Sequence, residues 1–244
     1  MVNKIVLQSV INKYYLGENE SVKWVIKDNT LSIDFMSISK EVIGKITHQN
    51  IDIENSELAI FDTKKLLNLL SITQGDLIFE LEKGRSIYTK MKFADAAFNL
   101  TYALADPLLI GKVGSVSEPE WDTIIPLEKE HVDNLIKAKS ALVGIGLLTI
   151  SPDIDLNGND MCVFTFGDEA GHNNKIIYQM YGIIKQEKTN IPFNSDMFKN
   201  ILQSNKDLEK GTIYISYDGL MKLEFQSEDI SSIYYMVRKE ESAF

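Results

Sequence analysis

Apolar and polar residues alternate along most of the chain, or apolar residues gather into short β-branched and aromatic runs. Both patterns predict strands. They cover Val22–Ile26, Leu31–Met36, Glu57–Phe61, Asp76–Leu81, Ile87–Phe93 and Phe98–Leu104 in the first half. In the second half they cover Leu147–Ile150, Met161–Phe166, Lys175–Tyr181, Thr212–Tyr217, Leu220–Phe225 and Ile230–Val237. Turn-forming pairs such as Asp28-Asn29, Lys83-Gly84 and Asp218-Gly219 punctuate them. Four segments switch to helical spacing. Lys4 to about Leu16 places Ile5, Leu7, Val10, Ile11 and Tyr14 on apolar positions. A second helix follows the cap-like Asp62-Thr63 and carries Leu66, Leu67, Leu69 and Leu70. A third is expected over about Leu127–Val143, just after Pro126. A fourth follows Asn194-Ser195 and carries Met197, Phe198, Ile201 and Leu202.

The halves repeat. Phe61-Asp62-Thr63 followed by Asn68-Leu69-Leu70 recurs as Phe193-Asn194-Ser195 followed by Asn200-Ile201-Leu202, at an offset of 132 residues. Lys90-Met91-Lys92-Phe93 recurs as Lys222-Leu223-Glu224-Phe225 at the same offset. The shared order and spacing of these matches carries the signal, since each match alone is common. Ala105 to about Trp121 contains Pro107, Gly111, Gly114 and Pro119 and reads as a connector. The expected division is therefore a first domain over residues 1–106, a connector over 107–121 and a second domain over 122–244.

Composition leaves this picture standing. With 44% hydrophobic and 25% charged residues in 244, the chain can bury a core and is not a disordered one. No apolar run approaches the roughly 18 residues of a membrane span. Met1–Tyr15 lacks the architecture of a signal peptide, because Gln8, Ser9 and Asn12 interrupt its apolar residues; a cytosolic setting is expected. Cys162 is the single cysteine and lies in the apolar run Met161–Phe166, so it reads as a small buried hydrophobe.

The net charge of −10 argues against nucleic-acid binding until it is divided by element. The four helix windows hold Lys4, Lys13, Lys64, Lys65, Lys129, Lys137, Lys139 and Lys199 against Glu128, Glu130, Asp133 and Asp196. They carry +4, which leaves −14 on the remainder. On the first helix Lys4, Gln8 and Asn12 share a face, with Ser9 and Lys13 beside them. On the second, Lys64, Lys65, Asn68 and Ser71 oppose the leucines; on the fourth, Lys199, Asn200 and Gln203 do so, with Lys206 just beyond. The third is mixed, since Asp133 lies between Lys129 and Lys137. A lysine on a helix is ordinarily a solvated residue. Repeated on helices of an otherwise acidic chain, and with no arginine among them, the pattern suits contact with phosphates without reading of bases.

Over Glu57–Asp62, Leu66–Ser71, Met91–Ala96 and Ala103–Pro107 the chain resembles sliding DNA clamps, in particular the polymerase processivity clamp of T-even-type tailed bacteriophages. Tyr234-Tyr235-Met236-Val237 and the acidic tail ending in Phe244 are similar to that family as well. The resemblance implies an α+β fold: two similar domains, each with two short helices on antiparallel sheets, assembled as a homotrimeric ring around double-stranded DNA. It implies that Lys4, Lys13, Lys64, Lys65, Lys129, Lys137, Lys139, Lys199 and Lys206 face the hole. Subunits then join through edge strands, Asn99, Leu100, Thr101 and Tyr102 of one against Ile176, Ile177, Tyr178 and Gln179 of the next. A partner-peptide pocket is implied at Met36, Ile38, Val42, Leu108, Leu109, Ile110 and Val113, although each of these reads equally well as core. The implied partners are the DNA polymerase and an ATP-dependent clamp loader; no membrane, metal, cofactor or catalysis is implied. The implied place of action is the cytoplasm of the infected bacterial host.

Other chemistry has little support. Asp153-Ile154-Asp155-Leu156-Asn157-Gly158 opens like a calcium loop, but Phe164 sits where the bidentate glutamate belongs, and the segment reads as a polar hairpin loop. His48, His131 and His172 lack ligand spacing. No phosphate loop or nucleophile elbow is present. Two alternatives remain open: a β-rich structural trimer of a phage particle, and a hydrolase that uses the Asp-rich Ser151–Asp160 loop.

Overall fold

The computed structural model describes residues 1–167, 174–185, 190–208 and 210–239. His172 and the end of the acidic tail, residues 240–244, lie outside them. The chain forms two compact units. The first comprises Met1–Ile38, Ile43–Ser115 and Glu228–Ser232; the second comprises Ser39–Val42, Val116–Ser227 and the chain from Ile233 on.

The first unit runs β1 (Val2–Asn3), α1 (Lys4–Tyr15), β2 (Val22–Lys27), β3 (Thr30–Met36), β4 (Val42–His48), β5 (Ser56–Ile60), α2 (Thr63–Ser71), β6 (Asp76–Lys83), β7 (Tyr88–Ala94) and β8 (Asn99–Ala103). Its strands pair in the orders β4-β3-β2-β5 and β1-β6-β7-β8. The second unit repeats the series: β9 (Thr123–Glu128), α3 (Lys129–Ala141), β10 (Leu147–Ile154), β11 (Asp160–Phe166), β12 (Ile176–Tyr181), the extra β13 (Ile183–Ile184), β14 (Ile191–Asn194), α4 (Ser195–Ser204), β15 (Lys210–Ser216), β16 (Leu220–Gln226) and β17 (Ile230–Val237). Its orders are β12-β11-β10-β14 and β13-β9-β15-β16-β17. Leaving out β13, the two units have the same element order and the same strand orders, and α4 and β16 begin 132 residues after α2 and β7.

Local chemistry explains most boundaries. Asp28 and Asn29 both take positive φ, 49° and 59°, the twist a two-residue hairpin between β2 and β3 requires. Asp62 caps α2 by accepting from Lys65 N at 2.8 Å, and Asn194 caps α4 by accepting from Asp196 N and Met197 N. Both helices then bury one apolar face: Leu66 and Leu70 on α2, and Met197, Phe198, Ile201 and Leu202 on α4. Tyr14 of α1 meets Trp24 of β2 edge-on, both fully buried, and Phe198 packs on Phe164 of β11. Asn194 also donates from Nδ2 to Glu41 Oε2 at 2.7 Å. Asn194→Ala is therefore expected to destabilise the chain by about 1–2 kcal/mol, more than Asp62→Ala, as read from denaturant midpoints.

Several strands escape the sequence pattern. β4 was not expected, because Gly44 interrupts its alternation; the glycine is required, since a Cβ there would meet Phe35 Cζ at 2.2 Å on the paired strand. β9 occupies Thr123–Glu128, so the third helix starts at Lys129 rather than Leu127. Pro126 belongs to that strand, past the two residues of β13 that flank it, where a missing N–H is tolerated. The short β1, β13 and β14 were likewise unforeseen. Asp153 and Ile154 of the expected Asp153–Gly158 loop belong to β10, and Asp155–Asn159 forms the β10–β11 hairpin turn. There Asp155 accepts from Asn157 N, Asn159 N and Asn159 Nδ2, each at 2.8 Å, and the bonds from Asn159 foremost hold its carboxyl down at about 2. Burial pushes the Cys162 thiol up to about 12, which leaves it inert at neutral pH.

Candidate nucleic-acid interface

α1 packs against α2 in the first unit and α3 against α4 in the second. The side chains left outward on these pairs decide what the helices can touch. Lys64 and Lys65 on α2, Lys129 and Lys137 on α3 and Lys206 after α4 are exposed, and Lys199 on α4 is half-buried.

Three expected phosphate ligands are engaged elsewhere. Lys13 is fully buried, with Nζ on Ser9 Oγ at 2.9 Å. Lys139 is 4% exposed and ties α3 to α4 through Asp196 Oδ1 at 2.8 Å, with Leu142 O at 3.3 Å. Lys4 closes the C-terminal end of α2, donating to Ser71 O at 3.2 Å and to Thr73 O, where free carbonyls and the helix dipole favour a cation. The +4 of the helices thus overstates their outward charge, and Lys13 and Lys139 are corrected from surface to structural residues. α1 turns outward Ile5, 76% exposed, and Asn12, with Gln8 and Ser9 half-buried; that face is polar and apolar but uncharged.

The two strands expected at a subunit interface, β8 and β12, stand at the edges of their described sheets. Hydrogen-bond phase divides their residues. Leu104 N donates to Thr89 O on β7, so Leu100 and Tyr102 also turn their backbone groups to β7, and Asn99 and Thr101 turn theirs to the open edge. Gly182 N donates to Asp160 O, so Ile176 and Tyr178 turn theirs to β11, and Ile177 and Gln179 face outward. Leu100 and Tyr102 bury their side chains, and the Tyr102 hydroxyl accepts from Phe61 N and Asp62 N and donates to Asp62 O, bracing the start of α2. Neither strand carries a charge, and charge is the usual guard of an exposed edge.

No family model and no curated protein matches the chain by sequence. Solved structures match over nearly its whole length. The proliferating cellular nuclear antigen of Entamoeba histolytica superposes with a TM-score of 0.75 at 15% identity, covering 98% of this chain and 96% of its own. The A. fulgidus protein of the same name, solved with the C-terminal region of FEN-1 bound, gives 0.77 at 13% identity, covering 99% and 98%. This is the DNA-clamp fold.

Within that fold the connector carries the residues expected to form a partner pocket. Pro107–Leu109 is a 3-10 turn capped by Asp106, and Leu108 and Leu109 are 90% and 77% exposed. Ile110 and Val113 are half-buried, and Met36 and Ile38 are exposed. Val42 is fully buried in β4 and is a core residue rather than a pocket wall. Four residues to which the sequence assigned no site role meet at the connector's far end: Glu118, Trp121, Lys222 and Tyr235. No motif announces them. The one signal was a lysine inside the strand run Leu220–Phe225 with aromatic residues on the neighbouring strands.

Proposed function

We propose that the chain is the subunit of a sliding clamp, a non-enzymatic homotrimeric ring that encircles duplex DNA without reading sequence and tethers the replicative DNA polymerase and other partners. The end-to-end superposition on two proliferating cellular nuclear antigens carries this reading, one of them with the C-terminal region of FEN-1 bound. The within-chain repeat, the uncharged edge strands β8 and β12 and the exposed lysines of α2, α3 and α4 support it. A ring holds DNA by topology, so weak lysine contacts suffice and do not brake sliding, while acids elsewhere repel DNA from the outer surface. An ATP-driven loader is needed to open such a ring. The similarity of Glu57–Pro107 to clamps of T-even-type phages supports a phage origin and action in the cytoplasm of an infected bacterium.

The test is topological. Loaded on nicked circular DNA with its cognate loader and ATP, the protein is expected to stay on the circle and to slip off once the circle is cut. Retention on the cut DNA, or a monomer at micromolar concentration, overturns the reading.

A further inference from the structure

The connector is fastened at both ends by different chemistry. At its start, Ala105 N donates to Ala59 O at 3.0 Å and Asp106 Oδ1 accepts from Leu108 N at 2.9 Å, all inside the first unit. At its end, inside the second unit, Glu118 sits on the sheet of β15, β16 and β17. Its two carboxylate oxygens each lie 3.2 Å from Lys222 Nζ. Oε1 also accepts from the Tyr235 hydroxyl at 2.5 Å, and Oε2 from Trp121 Nε1 at 3.2 Å.

Lys222 explains why this fastening holds. It is only 8% exposed, covered by the Tyr214 ring, whose centroid lies 4.2 Å from Nζ, and by the Trp121 ring at 5.4 Å. A cation so enclosed needs a carboxylate, and among the described residues the acid besides Glu118 within ion-pair reach is Glu224, at 3.5 Å. Loss of Glu118 therefore removes most of the compensation of a buried charge as well as the bonds to Tyr235 and Trp121. Between the two anchors Gly111, Lys112, Gly114 and Ser115 are exposed and form no regular structure.

We propose that Glu118 is a positioning residue for partner capture: clasped by Lys222 and Tyr235, it keeps the connector short and holds the exposed Leu108–Leu109 turn where a partner's apolar peptide meets it. This rests on the reading of the chain as a clamp whose connector docks partners. Opening the clasp lengthens the free run from Ile110–Ser117 to Ile110–Glu120, since Trp121 stays packed on the Tyr214 ring and Asp122 stays fixed by Ile215 O and Tyr217 N. A longer, looser run must be ordered again each time a peptide docks, which weakens docking.

The mobility test uses the full chain with a nitroxide label on the exposed Lys112→Cys, and tethering is read on the unlabelled chains; buried Cys162 stays unlabelled. In Glu118→Gln the label should become more mobile, its rotational correlation time falling at least about twofold. Polymerase tethering, read as processive synthesis after loading, should fall about three- to tenfold. Lys222→Arg keeps the pair and should preserve both readouts. Tyr235→Phe removes a single bond and should give intermediate values, and it serves if Glu118→Gln folds poorly. An unchanged label in both variants overturns the clasp. A freed connector with undiminished tethering overturns the positioning role and leaves the clamp intact. A wild-type chain that loads but tethers no polymerase removes the docking reading and this inference together, whatever the label reports.

Discussion

Thr101→Pro is expected to turn rings into free, folded subunits. Thr101 lies in the middle of β8, opposite Lys92 of β7, and its N–H points to the open edge. Proline there removes no bond of the subunit's own sheet, and an edge strand with the N–H side outward is where sheets accept proline. In the proposed ring the same N–H would face the next subunit's β12, so proline would delete a ladder bond and set its ring against the neighbouring strand. The lost bond alone is worth about 0.5–1.5 kcal/mol, the clash adds to it, and both are repeated at every interface of the closed ring. Sedimentation should show monomer where the proposed ring predicts a wild-type trimer, far-UV dichroism should be unchanged, and loading on circular DNA should vanish. Gln179→Pro on β12 should do the same, because its backbone groups also face outward. Tyr102→Pro is the contrast: its N–H belongs to the β7 ladder and its side chain braces Asp62, so it should unfold the first unit. A Thr101→Pro chain that still sediments as a trimer places the interface elsewhere.

The parts of this architecture written in local chemistry were legible in the sequence. α2 and α4 could be placed because an Asx cap, a leucine-rich face and a 132-residue repeat all point to the same residues. The edge character of β8 and β12 was not local; it came from the resemblance, and the hydrogen-bond phase that picks Thr101 and Gln179 needed the paired strands. Strands fail where a single residue breaks the period for a tertiary reason, as Gly44 does to admit Phe35 and Pro126 does beside β13. The lysines show a sharper limit. Lys13 and Lys65 look alike in sequence, each a cation among leucines and isoleucines at helical spacing. Lys13 is fully buried and Lys65 lies open, because helical spacing gives each residue a direction but not the neighbour that covers it. The Glu118 clasp was invisible for the same reason: its members are brought together by connector and sheet, far apart in the chain.

That distinction selects the substitution with the second large effect. Lys64→Glu combined with Lys65→Glu is expected to cut loading and processive synthesis at least about tenfold while leaving the ring assembled. Both residues are exposed on the first turn of α2, directly after the Asp62 cap. An acid is favoured there by the helix dipole, and a glutamate at the position of Lys65 completes a capping box with Asp62, so the helix should be no less stable. Repulsion from Glu20, whose Oε2 accepts from Lys64 N, acts against part of that gain. Electrostatics toward DNA change in the opposite direction: the chain goes from −10 to −14, and in a ring every subunit presents the change to the same phosphates. The slope of log affinity against log salt should become shallower by about 0.9 for each lysine that had engaged a phosphate. Lys27→Glu with Lys45→Glu makes the same change in net charge on exposed strand positions and separates a local contact from a general repulsion. If both pairs lose loading equally, the whole field of the protein is responsible; if the α2 pair loads normally, α2 does not face the DNA.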